Sequence, residues 1–207
     1  MKISSNTQTF TVNFPAICKE EFTTVESILL SNAKTKAVDA LLLSLTKYEK
    51  QLRKILCFLI FQNPAITIEV RDGFNRAITD NKKLYPPAMI QAINCLGAGQ
   101  VSDWVGEKYI PLNKRLEEIN ARRNKLIHGQ ITGEKLSAHV LIADVITILE
   151  WVELLARGSK RAVKYDGLIR NTFRQAKMKQ RCSKTGFPFE TPEELDKWLK
   201  KFTHQKK

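Results

Sequence analysis

Between Lys34 and Gln62 the chain carries no glycine or proline, and Val38, Leu41, Leu42, Leu45, Tyr48, Leu52, Ile55, Leu56, Leu59 and Ile60 return at steps of three and four. That spacing lays one apolar stripe along a helix. The segment is predicted to be a long amphipathic helix, closed by Asn63-Pro64. A second strong helix is predicted from Glu134 to about Arg157, with Leu136, Val140, Leu141, Val145, Ile148, Leu149, Val152 and Leu155 inward. A kinked continuation past Gly158-Ser159 toward Arg170 is the alternative end. Between the two, Leu112, Leu116, Ile119 and Leu126 predict a helix from about Leu112 to Ile127.

The remaining segments are shorter. Phe10, Val12 and Phe14 alternate with Thr9, Thr11 and Asn13, which reads as a short strand or extended arm over residues 1 to 14. A helix starts near Pro15 and carries Phe22, Val25, Ile28 and Leu29. From 64 to 111 the turns marked by "NPA", "RDG", "YPP", "GAG" and "IPL" separate short helices, one over Gly73 to Lys83 and one over Pro86 to Cys95. In the tail, Thr191 stands as an N-cap before Pro192, with Glu194 three residues after it, the pattern of a capping box. That predicts a short capped C-terminal helix. The domain reading is an arm over 1–14, a helical domain over 15–170, and a basic extension with a short helix over 171–207. The fold class is all-α.

Composition narrows the class of partner. Lys and Arg number 34 against 21 Asp and Glu, a net charge of +13, which attracts polyanions before any sequence is read. Nucleic acid leads and an anionic membrane surface follows. The longest apolar run, Ile55 to Phe61, covers seven residues, where a spanning helix needs about 20. No helix combines a strong basic face with an exposed apolar one, so a membrane-surface role ranks last and a cytoplasmic location is expected. Cys18, Cys57, Cys95 and Cys182 form neither a CxxC pair nor a metal spacing; they read as reduced, mostly buried thiols. No Gly-rich phosphate loop, nucleophile elbow or zinc spacing is present, and no metal or cofactor is expected.

The stretch "ARRNKLIHGQ", residues 121 to 130, carries the candidate chemistry. Leu112, Leu116, Ile119, Arg123 and Leu126 fall at steps of four, three, four and three, so a charge interrupts one apolar stripe. Arg123 is therefore expected to line a cleft or subunit seam, or to pair with a carboxylate such as Glu117, Glu118 or one from another helix, because an unpaired buried guanidinium costs several kcal/mol. His128 lies about 140° around an ideal helix and roughly 7.5 Å along it from Arg123. Gly129 can turn the chain and redirect the histidine, or a second subunit can supply the partner side chain. Asn124, four residues before His128, shares its face and can orient the ring. A histidine interacting with the last carbonyls of its own helix is the plain alternative. Arg122 and Lys125 lie off the stripe, where solvent explains them first and RNA contact second.

"RNKLIHG", Arg123 to Gly129, resembles the motif of the HEPN superfamily, and the helices before and after it match that setting over roughly residues 34 to 170. The resemblance implies an antiparallel bundle of four to five main helices and a metal-independent endoribonuclease completed by homodimerisation. It also implies a toxin or phage-defence role with an antitoxin or regulatory partner. Carried over, His128 is the acid or base, Arg123 contacts the phosphate, and Asn124 orients. Attack by the 2′-hydroxyl would leave a 2′,3′-cyclic phosphate, so DNA would be inert. Some toxins of the superfamily have a tyrosine two residues after the histidine, where an antitoxin modifies them; Gln130 stands there instead. Other members are inactive modules that bind RNA, nucleotides or protein, which is the second functional reading.

The strongest charge run lies from Arg157 to Lys184, ten basic residues against Asp166 alone, or +9 of the chain's +13. Arg157, Lys160, Arg161, Lys164, Arg170, Arg174 and Lys177 are accordingly candidate RNA contacts. Phe173, Phe187, Phe189 and Trp198 interleave with or follow them and could stack on bases, with core packing the first reading for Trp198. His139 and His204 have no ligand set beside them, and Glu117-Glu118 and Glu193-Glu194 make no acid/base pair.

Overall fold

The computed structural model describes residues 2–5, 8–128, 137–168 and 187–203, with side chains from Thr11 onward. Its regular secondary structure, among the described residues, is helical apart from one small hairpin. Strand β1 (Lys2–Ser5) pairs antiparallel with β2 (Gln8–Thr11), setting Ile3 opposite Phe10. The expected arm is thus two short strands folded on each other. The helices that follow are α1 (Lys19–Leu30), α2 (Lys36–Ile60), α3 (Arg71–Thr79), α4 (Pro86–Cys95), α5 (Val101–Val105), α6 (Tyr109–Ile127), α7 (Ala138–Val163) and α8 (Pro192–Thr203). A single 3-10 turn over Gly106–Lys108 leads into α6.

Contacts divide the chain into two compact units, one from Met1–Tyr48 and Val105–Leu155, the other from Glu49–Trp104 and Ala156–Lys207. The cuts fall inside α2 and α7. Each of those helices gives its first part to one unit and its last part to the other, which an uninterrupted apolar stripe cannot announce.

In the first unit, Phe22, Val25 and Leu29 of α1, Leu41, Leu45 and Tyr48 of α2, Leu112, Leu116 and Ile119 of α6, and Leu141, Val145, Ile148 and Val152 of α7 are buried. Trp151, fully buried, takes Tyr48 edge-on at 6.0 Å and Tyr109 at 5.6 Å between ring centres. Edge and tilted contacts of this kind add about 1 kcal/mol beyond the area they bury.

The second unit is built around aromatic pairs. Phe58 of α2 stacks on Tyr165 at 4.5 Å. Phe189 lies 6.3 Å from Phe74 of α3 and 5.3 Å from Trp198 of α8. Phe189 and Trp198 are buried, so neither offers a face to a base. The carbonyl of Phe189 accepts from Asn63 Nδ2 at 2.7 Å. The predicted capping box is formed. Thr191 Oγ1 accepts from the Glu194 N–H at 3.3 Å, and Glu194 Oε2 accepts from the Thr191 and Glu190 N–H groups at 3.3 and 2.7 Å. The helix it starts packs on α3 and α4. Cys18 is buried, Cys57 half-buried and Cys95 exposed; the expectation of mostly buried thiols holds for the first alone, and Cys182 lies outside the described residues.

The pattern allows α7 to stop near Arg157 or to continue past Gly158-Ser159 with a kink. The helix runs to Val163, through Gly158. The glycine serves close approach: a Cβ there would stand 2.1 Å from the carbonyl oxygen of Trp104 and 2.6 Å from its carbonyl carbon. Both are backbone atoms and cannot rotate away. Gly158→Ala gains about 1 kcal/mol in helix propensity but is expected to lose about 3 kcal/mol to overpacking. A lowered melting temperature is the predicted result, and a midpoint at or above wild type contradicts the close packing.

Candidate functional site

Helix α6 begins with Pro111 in its first turn, where the missing N–H costs nothing, and ends at Ile127 as the pattern predicts. The His128 N–H still donates to the Asn124 carbonyl at 3.1 Å, so the backbone keeps its helical course up to that nitrogen. Arg123 and His128 consequently leave the helix about 140° apart. Asn124 and His128 share a face. Asn124, Lys125 and His128 are exposed, Arg123 and Leu126 are half-buried, and Ile127 is 53% exposed. The stripe that is buried at Leu112, Leu116 and Ile119 thus reaches the surface in the last turn and a half. Gly129 and Gln130 lie outside the described residues.

The buried charge on this helix belongs to other arginines. Asp144 of α7 is fully buried. Arg115 Nη2 donates to its Oδ1 at 2.9 Å, and Arg122 Nη1 donates to its Oδ2. The two arginines are seven residues apart, two turns, and so project from one side of α6. Arg122 is only 13% exposed and Arg115 36%. Arg115 also reaches Glu118 Oε2 at 2.7 Å through Nη1. Among the described residues no ion pair or hydrogen bond engages Arg123.

Two expectations change with this geometry. Arg123 is half-buried and meets no carboxylate among the described residues, so the pairing alternative is not the one adopted. Arg122, assigned first to solvent, is the arginine locked inside. Sequence reasoning missed Asp144, although a signal was present: it falls three residues after Leu141 and four before Ile148, on the apolar stripe of α7. A carboxylate there must meet cations, and Arg115 and Arg122 form the pair on α6 with matching two-turn spacing.

The electrostatics of the cluster are directional. Burial opposes the charge of Arg115, but the bonds and charges of Glu118 and Asp144 outweigh it and hold its pKa above the ordinary value. Glu118 is lowered, first by its bond from Arg115; burial opposes this, and the charges of Arg115, Arg122 and Lys114 add to the lowering. Burial, and then Glu117, raises Tyr109.

Of the candidate RNA contacts, Arg157, Lys160 and Arg161 are exposed on the last turns of α7 and Lys164 is exposed just beyond it, all in the second unit. Lys160 lies 3.8 Å from the buried Asp166. Lys164 takes the left-handed conformation, φ 62°, that ends the helix. Arg170, Arg174, Lys177, Phe173 and His204 lie outside the described residues. Among the described residues there is no cluster of three His, Cys, Asp or Glu side chains able to hold a metal, and no helix long and apolar enough to cross a membrane.

The Asp144 cluster predicts an order of damage. Asp144→Ala strands the Arg122 guanidinium and removes one of the two carboxylates that Arg115 meets, and is expected to cost about 3 kcal/mol. Arg122→Ala should cost less, and Arg115→Ala about 1 kcal/mol or less because that side chain already meets solvent. Denaturant unfolding of the three variants checks the order; a neutral Asp144→Ala contradicts it. Glu118 supplies a pH prediction. Its folded pKa lies below the unfolded value, so its contribution is present above that unfolded value and is lost as pH falls through the folded one. Glu118→Gln should therefore flatten the fall of melting temperature between about pH 5 and pH 3, and an unchanged slope would remove Glu118 from the acid response.

No family model, curated protein or solved structure matches the chain.

Proposed function

We propose that the chain is a metal-independent endoribonuclease of HEPN type, acting as a homodimer whose composite site joins Arg123 of one copy to His128 of the other. The observation that carries this reading is the placement of the motif. Its three polar residues stand at the outer end of a helix whose preceding turns are tied to α7 by Asp144. Divergence of Arg123 and His128 within one copy is the reason two copies are required. Exposure of Asn124 and His128 leaves that face open to substrate.

The chemistry follows from residue type. In the proposed step the RNA 2′-oxygen bonds to phosphorus while the bond from phosphorus to the 5′-oxygen breaks. His128 takes the 2′-hydroxyl proton or delivers one to the departing oxygen. Arg123 meets the extra negative charge on the non-bridging oxygens, and Asn124 orients the imidazole. The products are a 2′,3′-cyclic phosphate and a 5′-hydroxyl. The exposed cations Arg157, Lys160, Arg161 and Lys164 add sequence-independent attraction for the phosphate backbone. A role in toxicity or phage defence, regulated by an antitoxin or similar protein, belongs to the same reading.

Purified protein should cleave RNA in the presence of EDTA, leave DNA intact and produce cyclic-phosphate ends. His128→Ala and Arg123→Ala should each lose activity on the order of a hundredfold or more while melting like wild type. Full activity in His128→Ala would refute the mechanism. Binding of RNA without cleavage of any candidate RNA would favour the inactive module, and a monomer in sedimentation at micromolar concentration would remove the composite site.

A further inference from the structure

A groove in the second unit has no place in the nuclease reading. It measures about 520 Å³ and is lined by Arg76, Ala77, Asp80, Asn81, Lys82 and Lys83 on one side and by Asp196, Lys200 and Thr203 of α8 on the other. That volume falls within the range of small-ligand sites. Four cations face two carboxylates. Lys200 is bonded to Asp196 within α8, and Asp80 Oδ1 accepts from Thr79 Oγ1 at 3.3 Å. Arg76, Lys82 and Lys83 are exposed and enter none of the ion pairs among the described residues.

The turn that presents the two lysines is fixed before any ligand arrives. Lys82 N–H donates to the Asp80 carbonyl at 2.9 Å, and Lys83 N–H donates to Asn81 Oδ1 at 3.2 Å. Arg53 of α2 then ties both ends of the turn, its guanidinium donating to the carbonyls of Ile78 and Leu84 at 3.3 Å each. An anion bound here would not have to order the backbone, which is where preorganised sites gain affinity. Helix α8 closes the opposite wall and packs on α3, so closely that a Cβ added at Gly73 would stand 2.7 Å from Pro192 Cγ.

From these features we propose that the groove is a phosphate-binding site of nucleotide size, with Arg76, Lys82 and Lys83 as the phosphate contacts. Guanidinium and ammonium groups are the side chains suited to phosphate oxygens, Arg by paired donors and Lys as a point charge. The phosphate can come from a free nucleotide or from the backbone of a single-stranded nucleic acid. The site uses none of the residues of the nuclease proposal, so either can fail alone.

The test compares the full chain with the triple variant Arg76→Gln, Lys82→Gln, Lys83→Gln and with a control, Lys19→Gln, Lys34→Gln, Lys114→Gln, which removes the same charge from exposed positions of the first unit. ATP and pyrophosphate are titrated by calorimetry. A fluorescent 2′-O-methyl oligoribonucleotide, inert to 2′-hydroxyl attack, is followed by anisotropy across a salt series. The groove triple should weaken at least one class of probe tenfold or more, the control should not, and both should melt like wild type. Loss for ATP and pyrophosphate identifies a free nucleotide as the source. Loss for the oligonucleotide alone, with the salt slope reduced by about 2, identifies a strand. Absence of binding by every probe, or equal weakening in the groove triple and the control, overturns the proposal.

Discussion

One buried carboxylate sets the position of everything proposed for the first unit. Asp144 is removed from water and receives a separate guanidinium on each oxygen, Arg115 on one and Arg122 on the other. A carboxylate in that place without cations would cost several kcal/mol, comparable with the margin by which a domain is stable. The apolar stripes of α6 and α7 bring the two helices together but tolerate sliding, since one aliphatic contact resembles the next. The ion cluster does not tolerate it. It fixes register and rotation of α6 from Arg115 to Arg122, and the next residue along the chain is Arg123.

The parts of the fold written in local chemistry were readable. The capping box at Thr191 and Glu194 formed as its spacing requires, Pro86–Cys95 became a helix between its turn signals, and α6 stopped at Ile127. What escaped depends on partners far away in sequence. Arg123 looked buried because periodicity assumes that a stripe stays on the core to its end, whereas α6 leaves the core after Ile119. Arg122 looked solvated because its carboxylate is on another helix, 22 residues away. Gly158 looked like a kink, while its cause is the carbonyl of Trp104 pressed against it. The division into units cuts two unbroken helices, and no change of composition marks a cut of that kind.

Charge is likewise distributed differently from its reading along the chain. The run after Arg157 was the visible feature, yet Arg76, Lys82, Lys83 and Lys200 come from two separate segments and share one groove only in the folded chain. Fixed turns and paired helices give both features, the motif at the end of α6 and the α3/α8 groove, rigid supports. Sites on rigid elements hold their geometry better than sites on free loops. The proposed nuclease and the proposed phosphate site both rest on that property.

The composite site is the central claim, and subunit complementation tests it most directly. Arg123→Ala and His128→Ala proteins, each inactive alone, are mixed under conditions that exchange subunits, and RNA cleavage is followed. In a mixed dimer one of the two sites keeps an intact Arg123 from one copy and an intact His128 from the other. Recovery of a substantial fraction of wild-type activity on mixing is the predicted result. A mixture as inactive as its components, with subunit exchange demonstrated, would contradict the account.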